Sequence, residues 1–307
     1  MPWKRHGAGK RSCQMANNEH IGKFNELVAE SGAKQADPLM HRIKELVTKM
    51  RKELEDKIIY SPAIIQCPPK IAALFLMAEK ASLFNDESTR DAKGCFEKNY
   101  ADNIRNVQWT TEAPSQIEQN LWTLSVAREV FAVSSPKDYE NVLSKYVGIL
   151  EQHKYPLLCL MLWLFPQFVN EERMKIAKGI ACESPTTSLL QDRMLYCLAC
   201  IEGPSCSHEK ASEIETQFLR YHLTIVEGGN EWGDIVSAAI GLLVLISCAN
   251  QGLLEDSVID ATRKTVRWIV DRLTGREVTY ESCIGWTFYA LCKYIDMVRR
   301  LEQRMRV

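Results

Sequence analysis

Strands are what this sequence offers least. No run of alternating apolar and polar residues reaches strand length, and Gln108-Trp-Thr-Thr111 is the single short candidate. That scarcity argues against a sheet-based fold. Glycine is also sparse, with fifteen in 307 residues. None falls in a Gly-x-x-x-x-Gly-Lys-Ser/Thr loop, a Gly-x-Ser-x-Gly elbow or a dinucleotide-binding fingerprint, so the common phosphate cradle and serine-hydrolase elbow have no support. His-Glu-x-x-His is missing, and so is any Glu-x-x-His pair of the kind that builds a di-iron bundle. The expectation is a protein without a cofactor and without catalytic activity.

An excess of either charge is missing too. Thirty-eight Lys and Arg stand against thirty-nine Asp and Glu, a net charge of -1, so no global field draws the chain to nucleic acid or to a membrane surface. Asn-x-Ser/Thr sequons do not occur, and the N-terminal residues contain no apolar signal-peptide core. Cysteine, by contrast, is plentiful. There are eleven, an odd number, and most lie inside apolar helical runs. They read as free thiols packed as small hydrophobes in a reducing compartment, cytoplasmic or nuclear, rather than as a disulfide framework. Long apolar runs are limited to Tyr155–Phe165 and Ile235–Ala249. Both fall short of the roughly 20 residues a membrane span needs, and both read as helices buried on all sides.

What the sequence does hold is helix after helix. Residues 1–36 stand apart as a basic arm, with Lys4, Arg5, Lys10 and Arg11 preceding the first acid, Glu19. From residue 37 to 307 an all-α domain is expected, with a sub-boundary near 108–114. Asp37-Pro38 opens a long helix whose stripe is Leu39, Ile43, Leu46, Val47, Met50, Leu54 and Ile58. An apolar helix over 70–84 and another over about 88–107 follow. Ser115-Gln-Ile-Glu118 has the form of a capping box. A stripe from Tyr139 to Leu150 marks the next helix, and a short helix after Asn170 would carry Glu171 and Glu172 in its first turn. Ser184-Pro185 and Gly203-Pro204 frame another. A helix from Ser207 to Gly228 has His222 on its apolar face, where histidine reads as a core residue. Asn230 is the expected cap of the apolar helix that follows. The last two helices cover 255–274 and 279–305, and the final one places Ile284, Phe288, Leu291 and Ile295 on one face.

From residue 115 onward, helix starts recur in pairs about 40 residues apart, a spacing typical of HEAT and armadillo arrays. An irregular α-helical repeat is therefore one expected architecture, and a compact multi-helix bundle is the other.

Two kinds of residue cluster invite a functional reading. In CLACIEGPSCSHE, Cys197, Cys200, Cys206 and His208 have the spacing of a zinc site. Against this, the Cys-x-x-Cys pair lies within an apolar helix on the stripe of Leu190, Met194 and Ile201, where core packing is the simpler role. It also sits near that helix's C-terminus, where the dipole disfavours a thiolate. The second kind is basic. The arm is one segment. Arg299, Arg300, Arg304 and Arg306 form another, and the preceding helix adds Arg263, Lys264, Arg267 and Arg272. From Asp260 onward ten Lys and Arg oppose six Asp and Glu. The arm is either a solvated tail, an import signal or a phosphate-binding strand. The leading expectation is a helical scaffold that binds a protein partner through its surface. The alternative is an all-α nucleic-acid-binding protein of the viral-nucleoprotein kind, in which the arm and the C-terminal arginines contact phosphate.

Overall fold

The computed structural model describes residues 38–59, 69–80, 113–131, 137–183, 188–203, 234–251, 256–274 and 283–305. These form ten α-helices and one 3-10 turn, with no strand among them. In chain order the helices are α1 (Pro38–Ile59), α2 (Pro69–Lys80), α3 (Pro114–Phe131), α4 (Lys137–Gln152), α5 (Leu157–Leu164), α6 (Glu171–Glu183), α7 (Ser188–Glu202), α8 (Ile235–Asn250), α9 (Asp256–Thr274) and α10 (Ile284–Met305). The 3-10 turn Pro166–Phe168 joins α5 to α6. The helices expected over 88–107 and 207–228, the strand candidate at 108–111 and the basic arm lie outside the described residues.

Local chemistry accounts for several helix ends. Pro38, Pro69 and Pro114 each occupy the first helical position, where a missing N–H costs nothing and φ is already helical. At α3 this displaces the expected capping box. The helix starts at Pro114, Ser115 falls inside the first turn, and Glu118 reaches Lys70 on α2, 3.8 Å away. At α8 the cap is Asp234 rather than Asn230. Asp234 is extended, and its carboxylate accepts from the Ser237 N–H at 2.8 Å and from the Ser237 hydroxyl at 2.6 Å. Asn170 caps α6 as its sequence suggests, accepting from the Arg173 N–H at 2.9 Å, with Glu171 and Glu172 in the first turn. Helix α4 ends in a Schellman motif. The Tyr155 N–H bonds back to Leu150 O at 3.0 Å, the Lys154 N–H to Glu151 O at 3.3 Å, and Lys154 takes φ 49°.

The two all-apolar runs are interior. Residues 158–164 of α5 and 237–248 of α8 are buried without interruption. No described helix is long and apolar enough to cross a membrane. Around them the amphipathic helices turn their stripes inward: Ile43, Leu46, Val47, Met50 and Leu54 from α1, and Ile284, Phe288, Leu291 and Ile295 from α10. One hydrophobic core contains residues from all ten helices.

The order of packing separates the two expected architectures. An open helical array keeps its first and last helices apart. Here α10 packs on α2, α8 and α1, and α9 also touches α1, while α2 continues to α3 and α5 to α7. The compact helical arrangement is the one observed. Gly285 helps to set this closure. A Cβ there would stand 3.2 Å from Leu74 Cδ1 and 3.5 Å from the Ile71 backbone, so α10 approaches α2 closely at its first turn. Three residues later Phe288 stacks on Phe75 at 5.7 Å.

Two outcomes follow for unfolding experiments. Lys154→Gly removes a non-glycine residue from the left-handed region and should raise the stability by up to about 1 kcal/mol, read as a higher urea midpoint at unchanged slope. Trp286→Ala should lower it by about 3–5 kcal/mol, since a fully buried aromatic leaves both lost transfer energy and a cavity.

Candidate functional site

Four aromatic rings from three helices meet in the core. Trp286 of α10 stacks on Trp163 of α5 at 5.4 Å and meets Trp122 of α3 edge-on at 5.8 Å, and Tyr289 closes the group at 6.4 Å from Trp163. Lys70 spans the outer side, its ammonium 5.9 Å from both the Trp122 and Trp286 rings. The rings are buried, so they act as packing rather than as an open cage. The Trp163 indole N–H donates to Glu202 at 3.1 Å, and the Ser247 hydroxyl donates to the same carboxylate at 2.7 Å. Glu202 thereby links α5, α7 and α8. Further polar bridges have the same character. Asn120 donates to the Tyr146 hydroxyl at 2.6 Å, joining α3 to α4. Arg128 and Arg193 donate to the carbonyls of Leu164 and Ala181, at 2.5 and 2.7 Å, near the C-terminal ends of α5 and α6. Nothing in the sequence paired these residues, because the partners lie 26 to 45 positions apart in the hydroxyl and carboxylate bridges.

Of the zinc candidates, Cys197 and Cys200 are buried within α7, among Leu195, Leu198 and Ile201. Cys206 and His208 lie outside the described residues. Among the described residues no group of three or more metal-ligating side chains converges. Of the phosphate-contact candidates, Lys4, Arg5, Lys10, Arg11 and Arg306 lie outside the described residues, and Arg304 is described only in its backbone. Arg299 is exposed on α10. Arg300 pairs with Asp296 one turn earlier, at 2.6 Å, so its charge is already compensated.

A buried ionic cluster and a partly buried carboxyl were not singled out by the sequence. Arg51 of α1 lies between Glu55 at 3.1 Å and Glu79 of α2 at 3.4 Å, a largely buried ionic triad. Burial first, and then the Glu79 charge, push the nearby Cys292 thiol far up, with Arg51 opposing, so that thiol stays protonated. Asp192 on α7 is the second. Burial raises its pKa to about 6, and no cation stands within ion-pairing distance among the described residues. Its neighbour Arg193 is turned away to the Ala181 carbonyl.

The outward surface is where charge concentrates. On α1 the exposed side chains include His41, Lys44, Glu45, Lys49, Lys52 and Asp56. Helix α9 lies beside α1, and Arg42 crosses to Asp271 at 2.8 Å and to Thr274 at 3.0 Å. The outer half of α9 carries Arg263, Lys264, Arg267, Trp268 and Arg272, with Asp260 held by Lys264 at 2.6 Å. Arg272 lies over the Trp268 ring at 5.1 Å.

No family model matches the chain, and no curated protein or solved structure matches it either.

Asp192 gives a test by pH. Its carboxyl binds a proton more tightly in the folded chain than in the unfolded one. The contribution of Asp192 to stability is therefore highest below the ordinary carboxylate range and is lost as pH rises through about 6. Asp192→Asn should remove that fall and raise the thermal midpoint above pH 6 while leaving it little changed at pH 3 to 4, as followed by circular dichroism across pH.

Proposed function

We propose that this chain is an intracellular α-helical scaffold that binds a protein partner on its surface, without catalysis. The observation that supports it is the closure of α1 and α9–α10 on one another around a single core. This sets two charged helices, α1 and α9, side by side on a firm support. A surface already ordered before binding loses little conformational entropy on association. Several buried polar groups of the interior are engaged in links between helices: Glu202 with Trp163 and Ser247, Asn120 with Tyr146, Arg51 with Glu79. Such groups serve shape, and recognition falls to the outward faces. Cys159, Cys197, Cys200, Cys248, Cys283 and Cys292 are buried free thiols, which supports a reducing compartment, cytoplasm or nucleus.

The alternative, nucleic-acid binding, needs the arm and the C-terminal arginines to surround one groove. Arg300 is already paired, and the outward half of α9 carries the exposed Asp260 and Asp271 among its cations, which weakens a continuous phosphate track.

The test is chemical cross-linking of the full chain in cell extract, with mass spectrometry, beside titration with single-stranded RNA and DNA over a range of salt. The expected outcome is a reproducible set of cross-links to one protein and no salt-steep oligonucleotide binding. Tight oligonucleotide binding whose logarithmic salt slope is about 0.7 per neutralised phosphate would replace the scaffold reading with the alternative.

A further inference from the structure

We propose that the outer face of α9 is where the partner docks, and that the partner presents an acidic segment to it. This rests on the scaffold reading above and assigns it a surface and a partner chemistry.

Helix α9 is divided sharply. Val258, Ala261, Val266, Ile269, Val270 and Leu273 are buried in the core. The opposite half faces out. Of its acids, the two whose side chains are described are both taken: Asp260 by Lys264 at 2.6 Å, and Asp271 by Arg42 of α1 at 2.8 Å. Arg263 and Arg267, one turn apart, have no carboxylate within ion-pairing distance among the described residues. The described carboxylates of that face are thus committed to Lys264 and Arg42. What remains is a pair of planar guanidinium forks about 6 Å apart along the axis, a spacing set by four residues of helix rise.

An aromatic side chain sits on the same half. Trp268 is half-buried against the core, with Arg272 over its ring. Arginine and tryptophan are the residues most enriched among those that dominate binding energy at protein interfaces. The tryptophan is held by the core on one side, so it offers apolar area at small entropic cost.

Charge complementarity selects the occupant. Carboxylates at i and i+4 on a partner helix match the arginine pair in spacing and fork geometry. A polyphosphate backbone matches less well. Its charge is continuous, whereas the outward half of α9 interrupts its cations with the exposed Asp260 and Asp271.

The experiment uses the full chain and two fluorescent probes in anisotropy titrations. One is an amphipathic helical peptide with glutamates at i,i+4 spacing around leucines, and the other is an oligouridylate. The test variant is R263E/R267E. The control is K145E/K175E, the same charge change on exposed positions of α4 and α6. Thermal unfolding verifies that both variants fold. The peptide should bind the parent chain and the control alike and lose roughly tenfold or more on R263E/R267E, the scale at which a dominant interface residue is recognised. Equal loss in both variants would mean net charge alone and overturn the assignment. Oligouridylate binding tighter than the peptide and lost on R263E/R267E would overturn it in favour of nucleic acid. Absence of peptide binding to the parent chain would overturn it as well. The cross-linking experiment separates the two readings. A protein partner cross-linked only through faces other than α9 leaves the scaffold standing and removes the docking site, and no partner at all removes both.

Discussion

The architecture depends on one packing event, the seating of α10 against helices from both halves of the chain. Phe288 stacks on Phe75, Gly285 lets the backbones of α10 and α2 come close, and Trp286 inserts beside Trp122 and Trp163. Remove that helix and α2, α8 and α1 each lose an apolar neighbour. The polar bridges are subordinate to it. Glu202, Asn120 and Arg51 fix the register of helices already drawn together by burial, because each contributes far less than the area the aromatic group removes from water.

A closed core of this kind also explains where the molecule keeps its unusual groups. The ionic triad of Arg51, Glu55 and Glu79 and the protonated Cys292 thiol lie where α1, α2 and α10 meet. Removing one member of a buried pair is far more costly than exchanging all of it for apolar residues. Such a triad therefore ties α1 and α2 to one another more firmly than it stabilises them. Outside, α1 and α9 carry the charge that the interior excludes.

Helix existence was legible because the 3.6-residue period is a local property. The stripes of α1, α4 and α10 and the uninterrupted burial of α5 and α8 are all written in consecutive residues. Caps were legible where a single residue decides them, as at Asn170. They were misread where a competitor stood nearby: Pro114 outranks Ser115, and Asp234 lies next to the helix while Asn230 does not. The choice between an open array and a compact bundle was not legible, because helix spacing is the same in both and the deciding contacts join residues such as Arg42 and Asp271, 229 positions apart. The aromatic junction was hidden for the same reason. Among the candidate residues, Cys197 and Cys200 sit in the core of α7, as their stripe suggested, and the uncompensated Arg263 and Arg267 emerge only once the partners of Asp260 and Asp271 are known.

The pairing of α1 with α10 has a consequence for the life of the chain before it is finished. Helix α1 leaves the ribosome more than two hundred residues ahead of the helix that covers it. At synthesis rates on the order of ten residues per second, its apolar stripe is uncovered for roughly twenty seconds. Local helices form in microseconds, so the wait is for topology and not for secondary structure. The part of the core that α1 and α10 share is thus completed only when α10 arrives, although the helices on both sides of it are already formed.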